Sequence, residues 1–250
     1  MKLSVVLATY NEEGNIVDCL NSVKDWCDEI VIVDGSSTDQ TVELAKDLGA
    51  HVTITHNPAI FHINKQKAID LARGEWILQL DADERVSPQL KKEILSVIQQ
   101  KGINGFWIPR KNFFLGKFLM KGGVYPEYTL RLYRNGKGKL PQKDVHEQAI
   151  VDGAVGFLKN PLIHLADRSF SRYWLRLNRY TDLIALELKK TQPTFNLLNF
   201  INYLFIKPSK WFLSTYLRHK GFMDSWQGFV FSFFSALRFP IGYIKYLKKI

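Results

Sequence analysis

Residues 76–86 read WILQLDADERV, a largely apolar run that leads directly into three carboxylates, Asp81, Asp83 and Glu84. A short, continuous apolar run is typical of a strand that is buried on both faces of a sheet. Carboxylates at the end of such a strand are either solvated in a surface turn or hold a cation. The stretch therefore predicts a buried strand, and the rest of the chain must explain its acidic end.

Strand and helix patterns alternate through the residues that precede this stretch. Apolar runs predict strands at 2–8, 29–34 and 51–56, and amphipathic segments predict helices at 13–26, 36–49 and 63–74. This alternation predicts an α/β fold with a mainly parallel sheet flanked by helices and joined by right-handed crossovers. One more helix is expected at 87–100, and short strands separated by glycines are expected between 102 and 165.

The last third of the chain differs in composition from the rest. Residues 168–250 carry 14 basic and 3 acidic side chains and 20 of the 33 aromatic ones, in a chain of 250 residues with a net charge of +10. We therefore expect an α/β domain at 1–166, with halves at 1–100 and 101–166. A helical, basic, aromatic-rich appendage is expected at 167–250.

Lys and Arg beside aromatic residues are typical of helices that lie at a membrane surface. The longest uncharged stretches, 191–206 and 225–237, are shorter than the ~18–20 apolar residues of a membrane span. We expect the appendage to associate with a membrane surface, the alternative being a helical subdomain docked on the sheet. The N-terminal apolar run is too short for a signal peptide. Cys19 and Cys27 form no disulfide or metal pattern, which favours a cytoplasmic protein.

Ligands of open parallel sheets bind at the carboxyl ends of the strands, and polar residues follow each predicted strand here. At such an end Asp81 and Asp83 can approach one cation from different sides. Hard divalent cations prefer carboxylate oxygens and often leave coordination positions for phosphate, which indicates Mg²⁺ or Mn²⁺ at a nucleotide diphosphate. The alternative interpretation is a dinucleotide-binding domain. The turn ATYNEEGN at 8–15 lacks the glycine pattern of such a domain, and the chain has no P-loop.

Three segments resemble the successive signatures of glycosyltransferase family 2, the inverting GT-A enzymes that use nucleotide-diphosphate sugars. They are SVVLATYNEEGNI at 4–16, EIVIVDGSSTDQT at 29–41 and ARGEWILQLDADE at 72–84. Two later segments, at 111–134 and 145–158, are similar to a narrower branch that contains bacterial lipopolysaccharide core β-glucosyltransferases. The resemblance implies a GT-A type, Rossmann-like sheet in the first domain.

The resemblance also implies roles for individual residues. The nucleotide would be bound by Thr9, Tyr10, Glu12, Asp34, Asp39, Lys67 and Asp81, with Lys67 near the diphosphate and Asp81 towards the ribose. The metal would be held by Asp83, with Asp81 and with His164 as a further ligand or diphosphate contact. Glu84 is expected to point elsewhere, to Arg85 or a helix start.

Inverting transfer also needs a base that takes the proton of the acceptor hydroxyl. The branch resemblance places this base at Glu147, with Asp144 in reserve, although the family's more usual Glu-Asp pair is missing. Arg131 and Arg134 would bind phosphate on the donor or acceptor, because a guanidinium matches phosphate bidentately. Ordinary salt bridges are the alternative for both arginines.

Together these features predict a metal-dependent inverting glycosyltransferase, peripheral on the inner face of the cell membrane. It would move a sugar from a nucleotide-diphosphate sugar, expected to be a UDP-hexose, to a lipid-linked or lipopolysaccharide-core saccharide. The alternative within this class is transfer to a polyprenyl phosphate, in the manner of dolichol-phosphate mannose synthases. A non-catalytic lipid- or nucleic-acid-binding protein is a remote alternative, since the basic charge lies in the tail without an RNA-binding or zinc motif.

Overall fold

The computed structural model describes residues 1–58, 60–141, 148–191 and 195–248. The chain divides into two compact units. The sheet unit comprises Met1–Arg110 and Glu127–His164, and the helical unit comprises Lys111–Pro126 and Leu165–Ile250.

The first half of the sheet unit is parallel, as the alternation of patterns predicts. Its strands are β1 (Leu3–Thr9), β2 (Glu29–Asp34), β3 (His51–Ile54) and β4 (Trp76–Gln79), in the order β3-β2-β1-β4. The connecting helices are α1 (Glu13–Asn21), α2 (Thr41–Asp47) and α3 (His62–Leu71). Thr9 pairs with Asp34 in the register of β1 and β2, so these two strands end level with each other.

The remaining strands are mostly antiparallel and form the second half of the sheet, except for two that pair with each other in a separate two-stranded sheet. They are β5 (Glu84–Val86), β6 (Gly105–Phe114), β7 (Lys117–Phe118), β8 (Glu127–Arg134), β9 (Gly138–Lys139), β10 (Ile150–Val151), β11 (Val155–Phe157) and β12 (Leu162–Asp167). The order continues from β4 through β8, β6 and β12 to β5, while β7 and β11 pair with β6. Because β5 follows β4 directly in the chain but ends this order, the sheet curls back on itself.

Helix α4 (Pro88–Val97) follows β5 and begins where the sequence signals it. The Ser87 hydroxyl accepts a hydrogen bond from the Leu90 N–H, and Pro88 occupies the first helical position, where it costs no hydrogen bond. Its buried residues Leu90 and Ile94 pack on one face of the sheet in a cluster with Leu20 and Leu78.

A second apolar cluster covers the other face of the sheet unit. It contains Ala68 and Ile69 of α3, Ile77 of β4 and Leu130 of β8, together with Ala149. The two clusters explain why β1, β2 and β4 are continuously apolar, since each of these strands is buried on both faces.

The helical unit is built around two long helices, α5 (Phe170–Thr191) and α8 (Ser225–Leu247). Between them lie α6 (Leu197–Ile201), a π-helical segment (Asn202–Ile206), α7 (Lys207–Leu213), a second π-helical segment (Ser214–Arg218) and a 3₁₀ turn (Gly221–Asp224). Gly242 of α8 lies against Ile184 of α5, where an added Cβ would come within 2.7 Å of the Ile184 side chain. In the part of the chain that the structure describes, no helix has both the length and the apolarity needed to cross a membrane.

Candidate active site

The carboxyl end of β2 is organised around Asp34, which is fully buried. Its carboxylate accepts hydrogen bonds from the Thr9 hydroxyl at 2.7 Å, from the Ser37 hydroxyl at 2.6 Å and from the Ser37 N–H at 2.7 Å. A carboxylate with both oxygens engaged in this way is held in one orientation. The predicted nucleotide-binding pair Thr9 and Asp34 is therefore brought together.

The loop after β1 is tied to the loop after β2 by side chain to backbone hydrogen bonds. The Asn11 side chain accepts a hydrogen bond from the Thr38 N–H at 2.8 Å, and the Glu12 N–H donates to the Thr41 hydroxyl at 2.7 Å. Asn11 has a φ of 54°, a left-handed conformation that asparagine tolerates better than most residues. Tyr10 lies next to it in the turn with its side chain largely exposed.

Asp39 also links the loop after β1 to the loop after β2. Its carboxylate accepts hydrogen bonds from the hydroxyl and the N–H of Thr41 and from the Glu13 N–H. Partial burial favours a higher pKa for Asp39, but these hydrogen bonds outweigh it and lower the pKa below the ordinary value. The side chain thus holds the loop as a carboxylate.

Asp81, at the end of β4, is bound by two cations of the protein itself. Arg131 of β8 donates to one carboxylate oxygen at 2.6 Å, and Lys65 of α3 forms an ion pair with the other. Burial alone would raise the pKa of Asp81, but these two cations hold it well below the usual range. Burial also lowers the pKa of Lys65, against the effect of Asp81.

Glu84 contradicts the expectation that it points away from the site. It is fully buried, and one carboxylate oxygen accepts the Asp81 N–H at 2.9 Å. The other oxygen lies 3.4 Å from both Arg131 and Arg110, and Arg110 also pairs with Glu127 at 2.8 Å. Glu84 was expected to point to Arg85 or to a helix start. The register of β8 and β6, which periodicity does not reveal, instead brings two other arginines to it.

Asp83 and His164 face each other at the same turn. The His164 Nε2 atom lies 3.5 Å from an Asp83 carboxylate oxygen, and both side chains are mostly buried. His164 reaches this position because β12 pairs with β5 so that His164 lies opposite Glu84. Among the described residues, no group of three or more His, Cys, Asp or Glu side chains could hold a metal ion.

The remaining predicted residues fall into three places. The Lys67 ammonium donates to the Thr55 hydroxyl at 3.2 Å, directly after β3. Arg134 pairs with Glu75 and lies over the Trp76 ring, at the start of β4 and away from Asp81, so the structure does not bring it to the cluster. Glu147 and Asp144 lie outside the described residues.

Sequence reasoning missed Lys65, Arg110 and Glu127 as members of the charged cluster at this end of the sheet. One signal was available for Lys65, because it shares the spacing of the buried positions Ala68, Ile69 and Ala72 and therefore lies on the inward face of α3. No comparable signal exists for Arg110 or Glu127, whose positions depend on pairing between strands that are distant in sequence.

Comparisons with known proteins place the chain among glycosyltransferases. The sequence model of glycosyl transferase family 2 matches residues 4–163. LpsC of Rhizobium meliloti, a lipopolysaccharide core biosynthesis glycosyltransferase, is 30% identical over 95% of this chain and 92% of its own length. An uncharacterized glycosyltransferase of Rickettsia typhi is 28% identical over 94% of this chain and 83% of its own length.

Among solved structures, residues 1–349 of S. aureus TarS superpose with a TM-score of 0.50 at 18% identity. The match covers 99% of this chain and 88% of that one. At this identity the likeness concerns the fold, and it confirms the predicted GT-A type sheet with helices following it.

Proposed function

The chain belongs to glycosyltransferase family 2, and we propose that it is a metal-dependent inverting transferase that moves a sugar from a UDP-sugar to a saccharide acceptor at the cytoplasmic face of a membrane. The observation that carries the proposal is the convergence of Asp34, Asp81 and Asp83 at the carboxyl end of one parallel sheet. The two loops that surround Asp34 are fixed before any ligand arrives. Family membership makes this end of the sheet the donor site.

The donor nucleotide would lie over the ends of β1 and β2. Asp34 would accept a hydrogen bond from the base, and Thr9, Tyr10, Glu12 and Asp39 would shape the pocket around base and ribose. The exposed ring of Tyr10 is available for stacking on the base. UDP is proposed because TarS, which shares this fold, has been solved in complex with UDP-GlcNAc.

Asp83 and His164 fit a divalent cation better than Asp81 does. Their facing oxygen and nitrogen atoms supply two protein ligands and leave positions for diphosphate oxygens. Asp81 is already neutralised by Arg131 and Lys65, so its proposed role is confined to the ribose side. A bound Mg²⁺ or Mn²⁺ would offset the negative charge that develops on the departing diphosphate.

The acceptor hydroxyl would attack the sugar carbon from the side opposite the diphosphate. Its oxygen forms the new bond as the bond from the sugar carbon to the diphosphate oxygen breaks, which inverts the configuration. Glu147 would take the hydroxyl proton, with Asp144 as the alternative base. Lys67, beside Thr55 after β3, would contribute positive charge near the diphosphate.

Calorimetric titration with UDP, GDP and TDP, with and without Mn²⁺, tests the donor site. Binding of UDP that requires Mn²⁺ and disappears in Asp83→Asn is the expected result. Asp152→Asn is the matched control, because Asp152 is an exposed carboxylate that pairs with Lys137 on the surface. Absence of nucleotide binding by the folded wild type contradicts the proposed function, and preference for another base changes the donor.

The helical unit supports action at a membrane surface. Residues 188–223 contain six Lys or Arg and no Asp or Glu. Apolar side chains of the same region are exposed, among them Leu197, Leu198, Phe205 and Phe222. Exposed apolar groups among basic ones suit an anionic lipid surface, where each Lys or Arg adds about 1 kcal/mol of attraction. A lipid-linked or lipopolysaccharide-core acceptor, the class in which LpsC is named, would be presented there.

Vesicle flotation of the full chain tests this part of the proposal. We expect co-flotation with anionic but not neutral phospholipid vesicles, weakened by salt because salt screens surface charges. Leu198→Glu should reduce it, since Leu198 is 77% exposed in the basic region. Leu71→Glu, at an exposed leucine of α3 in the sheet unit, is the matched control. Equal flotation of both variants and the wild type contradicts membrane binding through this region.

A further inference from the structure

Three aromatic rings form an exposed cluster on the sheet unit, apart from the donor end. Trp107 of β6 and Phe157 of β11 lie nearly parallel with ring centroids 6.4 Å apart, and Tyr128 of β8 meets Phe157 edge to face at 5.1 Å. Phe157 is 62% exposed and Tyr128 is 41% exposed. We call these three residues the aromatic platform.

The backbone around the platform turns its rings outward. Gly156 lies directly over the Phe106 ring, and an added Cβ there would come within 2.9 Å of it. Successive residues of a strand point to opposite faces, so Phe157 points away from the cluster that contains Phe106. The exposure of Phe157 thus follows from how β11 is fixed on β6.

The platform lies on the same face of the sheet as the described residues that flank segment 142–147. Trp107 pairs with Leu130, which belongs to the second apolar cluster. Leu140 and Ala149 belong to the same cluster, and the Gln148 side chain accepts a hydrogen bond from the Leu130 N–H at 3.3 Å. The chain therefore enters and leaves segment 142–147, which carries Glu147, on the face that holds the platform.

The platform also lies within reach of the donor end. From β4 the order of strands is β8, β6 and then β11, so Phe157 lies three strand spacings, about 14 Å, across the sheet from β4. This distance exceeds one sugar ring. A sugar on the platform would accordingly be a neighbour of the sugar whose hydroxyl reacts.

The chemistry of the platform favours a neutral sugar ring. Aromatic faces pack against the C–H face of a pyranose, whereas aliphatic patches lack this planar surface. The side chains of Trp107, Tyr128 and Phe157 themselves carry no charged group. A phosphate or an anionic lipid would require unpaired basic residues instead.

We propose that Trp107, Tyr128 and Phe157 form a subsite that binds a hexopyranose ring of the saccharide acceptor. The inference rests on the proposed function, because it requires a saccharide acceptor. It adds the position on the sheet unit at which that acceptor is bound. A ring at Phe157 is required, rather than any apolar side chain. Phe157→Leu therefore removes the interaction, and Phe157→Tyr keeps it.

The test uses a lipopolysaccharide core oligosaccharide, freed of lipid by mild acid, as the probe. Its affinity for the wild type and variants is measured by saturation-transfer NMR, with UDP titrated in parallel. Phe157→Leu should weaken oligosaccharide binding about tenfold, the value of one aromatic contact. Phe157→Tyr and the control Ile150→Ala, an exposed apolar residue off the platform, should bind as the wild type does.

The two proposals fail in different ways in this experiment. Equal binding of the oligosaccharide by the wild type and Phe157→Leu overturns the subsite, as does absence of oligosaccharide binding by a wild type that binds UDP. Loss of UDP binding in the wild type overturns the proposed donor site, while a Phe157-dependent oligosaccharide signal still supports the platform. Concentration-dependent dimerisation that Phe157→Leu abolishes identifies an interface between copies and also overturns the subsite.

Discussion

Replacement of Arg131 by methionine is the sharpest test of how the end of β4 is held together. The Arg131 side chain is 9% exposed and lies 2.6 Å from Asp81 and 3.4 Å from Glu84. Methionine fills much of the same volume but removes the charge. Two carboxylates that share one buried cation in the wild type would then lose it together.

The expected cost follows from the partners that remain. Removing one member of a buried ion pair typically costs 3–5 kcal/mol. Here Asp81 keeps Lys65 and Glu84 keeps Arg110, and within the described part of the chain the Arg131 Nε atom has no hydrogen-bond acceptor. These facts place the cost near the lower limit, at about 3 kcal/mol. For a chain of this size the melting temperature should fall by about 6–12 °C.

Arg134→Met is the matched control for this prediction. Arg134 lies on the same strand, but its ion-pair partner Glu75 is 51% exposed, and exposed pairs contribute about 0–1 kcal/mol. Scanning calorimetry of both variants at neutral pH measures the difference. If Arg131→Met lowers the melting temperature no more than Arg134→Met does, the reasoning from buried charge is refuted.

The pH dependence provides a second check on the same variant. The folded pKa of Asp81 lies well below that of the unfolded chain, so its ion pairs stabilise the protein fully above about pH 4. That contribution is lost as the pH falls through the depressed folded pKa. Wild type and Arg131→Met should differ in their free energy of unfolding. The part of this difference that depends on Asp81 should be the same at pH 5 and at pH 7. It should shrink below about pH 4.

Three further predictions concern other parts of the chain. Glu147→Gln should lower kcat by a factor of about 10²–10⁴ without changing the affinity for UDP, whereas Asp144→Asn should leave kcat unchanged. Turnover that survives Glu147→Gln in a radiolabelled transfer assay favours a polyprenyl-phosphate acceptor. Burial raises the pKa of the Cys19 thiol, so in a Cys27→Ser background it should react with a thiol reagent at pH 8 only after unfolding, and prompt labelling of Cys19 in the native protein contradicts this. Gly242→Ala should destabilise the helical unit by about 1–3 kcal/mol in urea unfolding, and the further change Ile184→Ala, which removes the Cγ2 atom that the new Cβ would meet, should make the added cost of Gly242→Ala smaller if contact between α5 and α8 is the cause.

The parallel half of the sheet could be predicted because its signals are local. Each buried strand is a continuous apolar run, and each helix between strands carries its own amphipathic spacing. The residues after β1, β2 and β4 then fall at one edge by topology alone. The family resemblance assigned Thr9 and Asp34 to one nucleotide site, and the register of β1 and β2 brings the two side chains together.

The antiparallel half was less predictable because its pairings are long-range. Segment 149–158 suggests one short strand, but the structure divides it into β10, which pairs with β9, and β11, which pairs in parallel with β6.

The acidic end of β4 shows that neighbouring carboxylates of one short motif can have different surroundings. Asp81, Asp83 and Glu84 look equivalent in DADE, but their surroundings differ. Glu84 is fully buried and closes the turn onto the Asp81 N–H, while Arg131 and Lys65 neutralise Asp81. Only Asp83 faces His164. Asp81 already pairs with two fixed cations and therefore gains less electrostatic stabilisation from a third. We therefore propose Asp83 as the carboxylate of this group that is best suited to a divalent cation.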